Sequence, residues 1–343
     1  MLDIGLNEAG MLAAKQYEGG QTQADGGTVE VVRPAHAPAI AVILPCFNEE
    51  AAIGDVVRAF RTVLPTARVY VFDNRSTDDT RAVAAAAGAI VRSEMRQGKG
   101  NVVRRMFADV EADVYVLADG DGTYDARMAP RMIEHLTAEN LDMIVGTRVA
   151  PPGRAFPPGH RFGNHMFNTL VAHVFGREFR DIFSGYRVFS RRFVKSFPAV
   201  TNGFDIETEM TVHALELRLP VAEMDTHYAE RPAGSTSKLR TFRDGFSILW
   251  AMLLLFKQVR PFLLFGAAAA ILSLTSIGLA WPILIEFLQT GLVPRIPTAM
   301  LSTGMMIVAF LSLACGLILH SVSRSHLEVK RLQYLTLAAP RPR

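Results

Sequence analysis

Short apolar runs alternate with amphipathic segments from residue 39 to residue 146. The run 39–44 is continuously apolar and ends at Pro45, which is typical of a strand buried on both faces. Residues 50–64 carry apolar side chains at helical spacing. The same pattern predicts four further strands, over 68–72, 89–91, 114–118 and 141–146, with helices between them. This alternation predicts an α/β fold with a mostly parallel sheet and helices on both faces.

The residues before this α/β pattern have a different character. In residues 1–38, Gly and Pro frame polar side chains without any sustained period, which indicates a disordered tail. The first residues lack a basic segment followed by an apolar core, so no secretory signal is predicted. We therefore expect the α/β domain to stay in the cytoplasm.

Two long apolar segments follow the α/β pattern, over 262–288 and 297–319. Each exceeds the roughly 17–25 residues that a helix needs to cross a bilayer. The short connection holds one basic residue, Arg295, whereas the outer flanks hold several. The positive-inside rule then places both termini in the cytoplasm, on a multi-pass protein of the inner (cytoplasmic) membrane. The alternative, two helices buried in a soluble core, would need more covering sequence than the chain has.

An amphipathic segment, 242–256, precedes the apolar pair and has basic flanks. It predicts a helix lying in the plane of the membrane surface, with an ordinary core helix as the alternative. The predicted organisation is a tail (1–38), an α/β domain (39–240), an interface helix (241–260), a two-helix anchor (261–322) and a cytoplasmic C-terminal tail (323–343).

Composition and charge indicate which classes of partner the protein binds. Half of the 343 residues are hydrophobic, and the net charge is only +3. No basic and aromatic residues interleave as in single-strand binders, so we expect no nucleic acid and a lipid bilayer as partner. The small residues 266–268 permit helix packing within one chain or between copies, which leaves a homo-oligomer open.

The candidate chemistry centres on Asp119-Gly120-Asp121, directly after the predicted strand 114–118. Two carboxylates one residue apart can share a divalent cation that also binds a nucleotide diphosphate. Gly120 lets the backbone approach a ligand closely. Asp73 ends another predicted strand, and ligands of such sheets bind outside the carboxyl ends of the strands.

Other segments in the chain complete a family pattern. They are Pro45-Cys46-Phe47-Asn48-Glu49-Glu50, the run 72–80 and Gly98-Lys99-Gly100. Together with Asp119-Gly120-Asp121 they resemble the family 2 glycosyltransferases, which have the Rossmann-like GT-A fold. Two positions depart from the usual pattern: Asn74-Arg75 replaces the middle of Asp-Asp-Gly-Ser, and Thr123 stands where several relatives carry a metal-binding Gln.

The resemblance assigns nucleotide-sugar binding to one set of residues. Pro45, Phe47, Glu49 and Asp73 would hold the base and ribose, and Asp119 and Asp121 the diphosphate, with Lys99 and Gly120 as further candidates for nucleotide-sugar binding. The negative charge that develops on the diphosphate needs cations, for which Arg231 and Lys238 are the candidates. Asp119 and Asp121 would hold the metal, Mg²⁺ or Mn²⁺.

Later segments resemble the polyprenyl-phosphate branch of this family, which includes dolichol-phosphate mannose synthase and the undecaprenyl-phosphate glycosyltransferases. They are Gly146-Thr147-Arg148, Arg161-Phe162-Gly163-Asn164, the run 181–187 and Ser237-Lys238. The resemblance implies inverting transfer of a hexose or N-acetylhexosamine from a nucleotide-sugar to undecaprenyl or dolichyl phosphate. The run 119–124 favours a UDP-sugar and leaves GDP-mannose open.

A phosphate acceptor sets its own chemical requirement. A phosphate monoester has its second pKa near about 6 and is largely a dianion at neutral pH, so it needs a cationic cradle more than a base. Arg148, Arg161, Ser184 and Arg187 are the candidates for that cradle. Asp121 and Asp181 are the candidate catalytic carboxylates, with Asp181 acting as a base or orienting the arginines.

Two other functions stay open. A family 2 enzyme that extends a polysaccharide or glycolipid would use a hydroxyl acceptor, but the Gln-x-x-Arg-Trp segment usual in such enzymes is not found. A catalytically silent nucleotide-sugar-binding protein of the membrane would not need the arginine set.

Overall fold

The computed structural model describes residues 38–149, 179–200, 206–229 and 260–338. Within these ranges the strands are β1 (Ile40–Cys46), β2 (Arg68–Asp73), β3 (Ile90–Ser93), β4 (Val114–Leu117), β5 (Met143–Val149), β6 (Arg187–Ser190) and β7 (Val221–His227). The helices are α1 (Glu50–Val63), α2 (Thr80–Ala86), α3 (Lys99–Asp109), α4 (Ala129–Ala138), α5 (Arg191–Ser196), α6 (Ile206–Glu216), α7 (Pro261–Thr290) and α8 (Ile296–Leu335).

The strands form one seven-stranded sheet in the order β3-β2-β1-β4-β6-β5-β7. Strands β1 to β4 are mutually parallel, and β7 is parallel to β5. Only β6, inserted between β4 and β5, runs antiparallel to both neighbours. The predicted mostly parallel α/β fold is confirmed, whereas β6 was not predicted because its four residues begin with a charged side chain.

Buried apolar residues form a separate core on each face of the sheet. One core joins the sheet to α3, α5 and α6 through residues such as Phe107, Phe193 and Met210. The other joins it to α1 and α4 through residues such as Phe60 and Leu136. Burial on both faces explains why the parallel strands read as continuous apolar runs rather than as alternating ones.

Helices α7 and α8 form an antiparallel pair beyond the α/β domain. Ser276 Oγ donates a hydrogen bond to the Ser302 carbonyl oxygen at 2.6 Å, and Ser312 Oγ to that of Phe265 at 3.2 Å. Both helices are long and apolar enough to cross a membrane, and only 11% of the most apolar stretch of each is buried. The two predicted apolar helices are thus confirmed as helices, and α8 continues well past residue 319 to Leu335.

Two predicted segments fall outside the described ranges. They are the N-terminal tail up to residue 37 and the interface helix up to residue 259. Both stay predictions, as do the domain boundaries at 240 and 260.

Candidate active site

The carboxyl ends of β1, β2 and β4 meet at one edge of the sheet. Strand β1 lies between β2 and β4, so the strand order reverses there, which is where open α/β sheets bind ligands. Phe47 directly follows β1, Asp73 ends β2 and Asp119 lies two residues past β4. The backbone N–H of Asn74 donates to the Cys46 carbonyl at 2.8 Å, which joins the first two of these ends.

The residues predicted to bind the base and ribose lie at this edge. Asp73 is buried, and both of its carboxylate oxygens accept from the Ser76 backbone N–H at 3.3 Å. Glu49 is also buried, and its backbone N–H donates to Thr80 Oγ1 at 2.9 Å. The structure therefore brings these residues together at the carboxyl ends of β1 and β2: Pro45 and Asp73 lie within the strands, and Phe47 and Glu49 lie between β1 and α1.

The departure at Asn74-Arg75 has a structural explanation. The Asn74 side chain donates to the carbonyl oxygens of Glu94 and Arg96 at 3.0 and 2.8 Å, and accepts from Gly98 N–H at 2.7 Å. An ionised aspartate could not make the two donations. Arg75 has φ 64°, in the left-handed region where the usual pattern has Gly. The loop therefore keeps its turn and gains an amide that fixes the segment leading into Lys99.

Asp119 and Asp121 lie on the turn after β4 and differ in their surroundings. Asp121 is buried, and its Oδ1 accepts from the backbone N–H and the hydroxyl of Thr123 at 3.1 and 2.6 Å. The Asp119 side chain is 28% exposed. A Cβ at Gly185 would lie 2.6 Å from Asp119 Oδ2, so this glycine lets the chain pass close to the carboxylate. Thr123 thus orients Asp121 through hydrogen bonds.

Lys99 lies between two carboxylates. Its Nζ is 2.5 Å from Asp119 Oδ1 and 2.5 Å from Glu207 Oε1. Burial alone would lower the pKa of Lys99, but Asp119 and Glu207 outweigh it and raise that pKa above its ordinary value. The ammonium group therefore stays charged and holds Asp119 in place.

Arg148 and Asp181 form a bidentate ion pair on the β5 side of the site. Arg148 Nε and Nη2 donate to the two Asp181 oxygens at 2.7 Å each, and its backbone N–H donates to Oδ2 at 3.1 Å. Burial would lower the pKa of Arg148, but Asp181 raises it. The guanidinium carbon also lies 5.6 Å from the centre of the Tyr228 ring. Asp181 is thus placed to orient Arg148.

Tyr124 connects this pair to the carboxylate turn. Its hydroxyl oxygen accepts from the backbone N–H of Gly185, the glycine that lies against Asp119. Burial and the negative charge of Asp119 raise the pKa of Tyr124, and Arg148 and Lys99 oppose this. Tyr124 therefore lies between the carboxylate turn and the Arg148–Asp181 pair.

Two predicted cradle residues are placed differently from the expectation. Ser184 is fully buried and donates to the Gly146 carbonyl oxygen. Arg187 is fully buried too, and it donates to the carbonyl oxygens of Ser184 and Ile182 and to Thr211 Oγ1. Burial lowers the pKa of Arg187 to about 10, so the side chain is still charged at neutral pH. These positions do not fit a direct contact with phosphate. Both residues instead shape the loop after Asp181.

The donor chemistry of the turn fits a hard divalent cation. Within the described ranges no three His, Cys, Asp or Glu side chains gather as a complete protein ligand set. Mg²⁺ bound with a nucleotide needs only one or two carboxylates, because phosphate oxygens and water supply the rest. Asp119 and Asp121 provide two carboxylates on one turn.

Two further carboxylates of this site are absent from the predicted site residues. Glu207 bonds Lys99, and Glu223 on β7 accepts from the backbone N–H groups of Arg180 and Asp181 at 2.9 and 3.3 Å. A charged residue in the mainly buried helix α6 was the available signal for Glu207. Arg161, Arg231 and Lys238 lie outside the described residues.

The fold, with its paired carboxylates at the point where the strand order reverses, defines a GT-A glycosyltransferase domain. Residues 41–197 match the family model for glycosyl transferase family 2. Glycosyltransferase AglJ from Haloferax volcanii is 37% identical over 245 residues, which cover 71% of this chain and 80% of that protein. The chain therefore belongs to glycosyltransferase family 2.

Two further comparisons extend this result. A dolichyl-phosphate hexose transferase from Haloferax volcanii is 28% identical over 209 residues, covering 61% of this chain and 90% of that protein. A structure of glucosyl-3-phosphoglycerate synthase from Mycobacterium tuberculosis, with Mn²⁺, UDP-glucose and glycerol 3-phosphate, has a TM-score of 0.52 and 23% identity over 64% of this chain and 80% of the synthase. That likeness confirms the predicted fold.

Proposed function

We propose that the protein transfers a hexose or N-acetylhexosamine from a nucleotide-sugar to polyprenyl phosphate at the cytoplasmic face of the inner membrane. The product would be a lipid-linked sugar donor for assembling cell-envelope glycans. A UDP-sugar is the favoured donor, and GDP-mannose stays open.

The observation that carries this proposal is the pair Arg148–Asp181 beside Asp119. A guanidinium bonded through Nε and Nη2 to the two oxygens of one carboxylate keeps a fixed orientation, and arginine suits recognition of phosphate. The two apolar helices support a lipid acceptor, because a polyprenyl tail stays in the bilayer. The dolichyl-phosphate hexose transferase of Haloferax volcanii points to the same acceptor class.

The residues of the site define the roles in the reaction. An oxygen of the acceptor phosphate would attack the anomeric carbon from the side opposite the diphosphate, whose bond to that carbon breaks, so the configuration inverts. A divalent cation, when bound by Asp119 and Asp121, would neutralise the leaving diphosphate. Lys99 fixes Asp119, and Asp181 orients Arg148 toward the acceptor rather than acting as a base, because both of its oxygens are bonded to that arginine.

The remaining candidates keep narrower roles in this proposal. Arg231 and Lys238 would bind the diphosphate, and Arg161 would contact the acceptor phosphate. Ser184 and Arg187 would act indirectly, by shaping the loop that carries Asp181.

The test is transfer of radiolabelled sugar from a panel of UDP- and GDP-sugars to undecaprenyl and dolichyl phosphate by purified protein with Mg²⁺ or Mn²⁺. We expect one donor to give a lipid-extractable product that chelator abolishes. Asp121→Asn should lower the rate by about 10²–10³-fold, because charge stabilisation of the leaving group is lost. Arg148→Ala should lower it with the nucleotide affinity unchanged.

Asp55→Asn is the matched control, since Asp55 is an exposed carboxylate on α1 that pairs with Arg58 on the same helix. It should leave transfer unchanged. Sugar transfer to a hydroxyl acceptor without any lipid product would contradict the phosphate acceptor and favour the polysaccharide-extending enzyme. Nucleotide-sugar binding with no consumption of any donor would favour the silent binding protein.

A further inference from the structure

Helix α8 is longer than a membrane crossing requires. Its 40 residues extend about 60 Å at 1.5 Å per residue, against a hydrocarbon core of roughly 30 Å. No Asp, Glu, Lys or Arg occurs from Ile296 until Arg324, and charged residues are frequent after it. The last part of α8, residues 324–335, therefore has the composition of a helix in water.

This last part docks on the α/β domain. The Tyr334 hydroxyl donates to Asp142 Oδ2 at 2.7 Å, and Lys330 Nζ lies 3.0 Å from Glu216 Oε2. Leu327 and Tyr334 pack against the core of the α3, α5 and α6 face. Leu327, Lys330 and Tyr334 are spaced three and four residues apart, so they share one face of the helix.

Tyr334 contacts an ion pair of the α/β domain that includes the buried Asp142. Asp142 is fully buried, and Arg192 donates to its two oxygens at 3.1 and 3.0 Å. The Arg192 guanidinium carbon also lies 4.4 Å from the centre of the Tyr334 ring. The Tyr334 ring therefore stacks on Arg192, and Asp142 bonds both the Arg192 guanidinium and the Tyr334 hydroxyl.

The docking point lies away from the candidate active site. Asp142 immediately precedes β5, and Arg148 lies six residues further along the same strand, about 20 Å away at roughly 3.3 Å per residue. Helix α8 thus contacts the amino end of a strand whose carboxyl end carries the proposed acceptor-binding arginine. A side chain changed at the docking point does not touch the site.

We propose that residues 327–335 form a strut that fixes the height and tilt of the active site relative to the bilayer. The inference rests on the proposed lipid acceptor, whose phosphate lies at the level of the lipid headgroups. A domain attached to α7 alone could tilt, whereas the strut gives it a second attachment through a continuous helix. Tyr334 is then a positioning residue for membrane-bound acceptor.

The test compares two acceptors with one enzyme: a long-chain polyprenyl phosphate in vesicles and a short, water-soluble isoprenyl phosphate. In Tyr334→Ala, transfer in vesicles should fall about tenfold, because small misplacements of reacting groups are costly. Transfer to the soluble acceptor should change by less than about twofold, because residues more than about 10 Å apart without shared partners usually act independently. Tyr334→Phe, which keeps the ring over Arg192, should lie between Tyr334→Ala and wild type. Leu332→Ala is the control, because Leu332 is exposed on the same turn.

A second measurement does not depend on the reaction. A dye is placed at the exposed position Ala86 as Ala86→Cys, in a Cys315→Ala background that leaves only buried Cys46. Time-resolved energy transfer from this dye to labelled lipid headgroups measures the distance between the dye and the membrane surface. The distribution of this distance should be narrow in the wild type and broad in Tyr334→Ala. Equal loss of transfer to the polyprenyl phosphate in vesicles and to the water-soluble isoprenyl phosphate, or an unchanged distance distribution, would overturn the strut. A wild-type protein that transfers to neither acceptor refutes the proposed function instead, and the distance measurement then decides the strut alone.

Discussion

Gly120 stands between the two carboxylates of the turn, and its Cα lies against the side chain of Cys46 on β1. A Cβ at this position would lie 2.4 Å from Cys46 Sγ. The φ angle of Gly120 is not positive, so an alanine there meets a steric conflict and no backbone strain. Gly120→Ala should therefore displace the turn that carries Asp119 and Asp121, with a loss of about 1–3 kcal/mol in the free energy of unfolding.

The main steric conflict of a side chain at position 120 is with Cys46, so a substitution at Cys46 tests whether this contact causes the loss of stability. Cys46→Ala removes the sulfur, and the Cys46→Ala/Gly120→Ala variant should be more stable than the sum of the two single changes predicts. Denaturant unfolding of the four proteins measures this coupling. Additive losses would mean that Gly120 is needed for a reason other than its contact with Cys46.

The sequence predicts which acidic residues lie at the strand ends, but it does not predict in which direction each side chain of the site points. Asp73, Asp119 and Asp121 follow from apolar strands ending in acidic residues, and the structure brings them to one edge. Arg187 follows the family pattern as well, yet its guanidinium turns into the domain and bonds backbone carbonyls. Whether an arginine points outward depends on β6, a short strand that the sequence pattern did not reveal.

At the scale of elements, the pairing of α7 with α8 depends on small residues. A Cβ at Gly316 would lie 2.9 Å from Phe265 Cβ, whereas a Cβ at Gly304 on the same helix has open space within 4 Å. Gly316→Leu should force the two helices apart and lower the midpoint of thermal unfolding in detergent, because close backbone approach is what such helix pairs gain from glycine. Gly304→Leu, the matched control, should leave the midpoint unchanged. Equal effects would show that helix propensity, and not packing, governs this pair.

Most strands could be predicted from the sequence, because burial of both faces makes a parallel strand continuously apolar. Continuous apolar runs identified β1, β2, β4 and β5, since both faces of these strands are buried. The length of α8 was not predicted beyond residue 319, because its last turns are polar and charged. Those turns contact Asp142 and Glu216, and no local sequence pattern reveals such tertiary contacts.

At the scale of the whole molecule, the proposed reaction requires the α/β domain, the start of α7 and the end of α8 to lie on the same side of the membrane. The short connection after α7 begins at Gly291, whose φ of 69° ends the helix. It carries Arg295, while Arg260, Arg324, Lys330 and Arg331 lie at the opposite ends of the two helices. By the positive-inside rule, this asymmetry predicts that the connection and the α/β domain lie on opposite sides of the membrane.

This orientation predicts which positions a membrane-impermeant maleimide reaches. In a Cys315→Ala background, Leu292→Cys in the connection should be labelled in intact spheroplasts, because Leu292 is exposed between the helices. Ser325→Cys, just past the apolar part of α8, should be labelled only after permeabilisation. Labelling of both positions in intact cells, or of neither, would mean that the pair does not cross the bilayer as a hairpin. That outcome would remove the support that the two apolar helices give to a lipid acceptor.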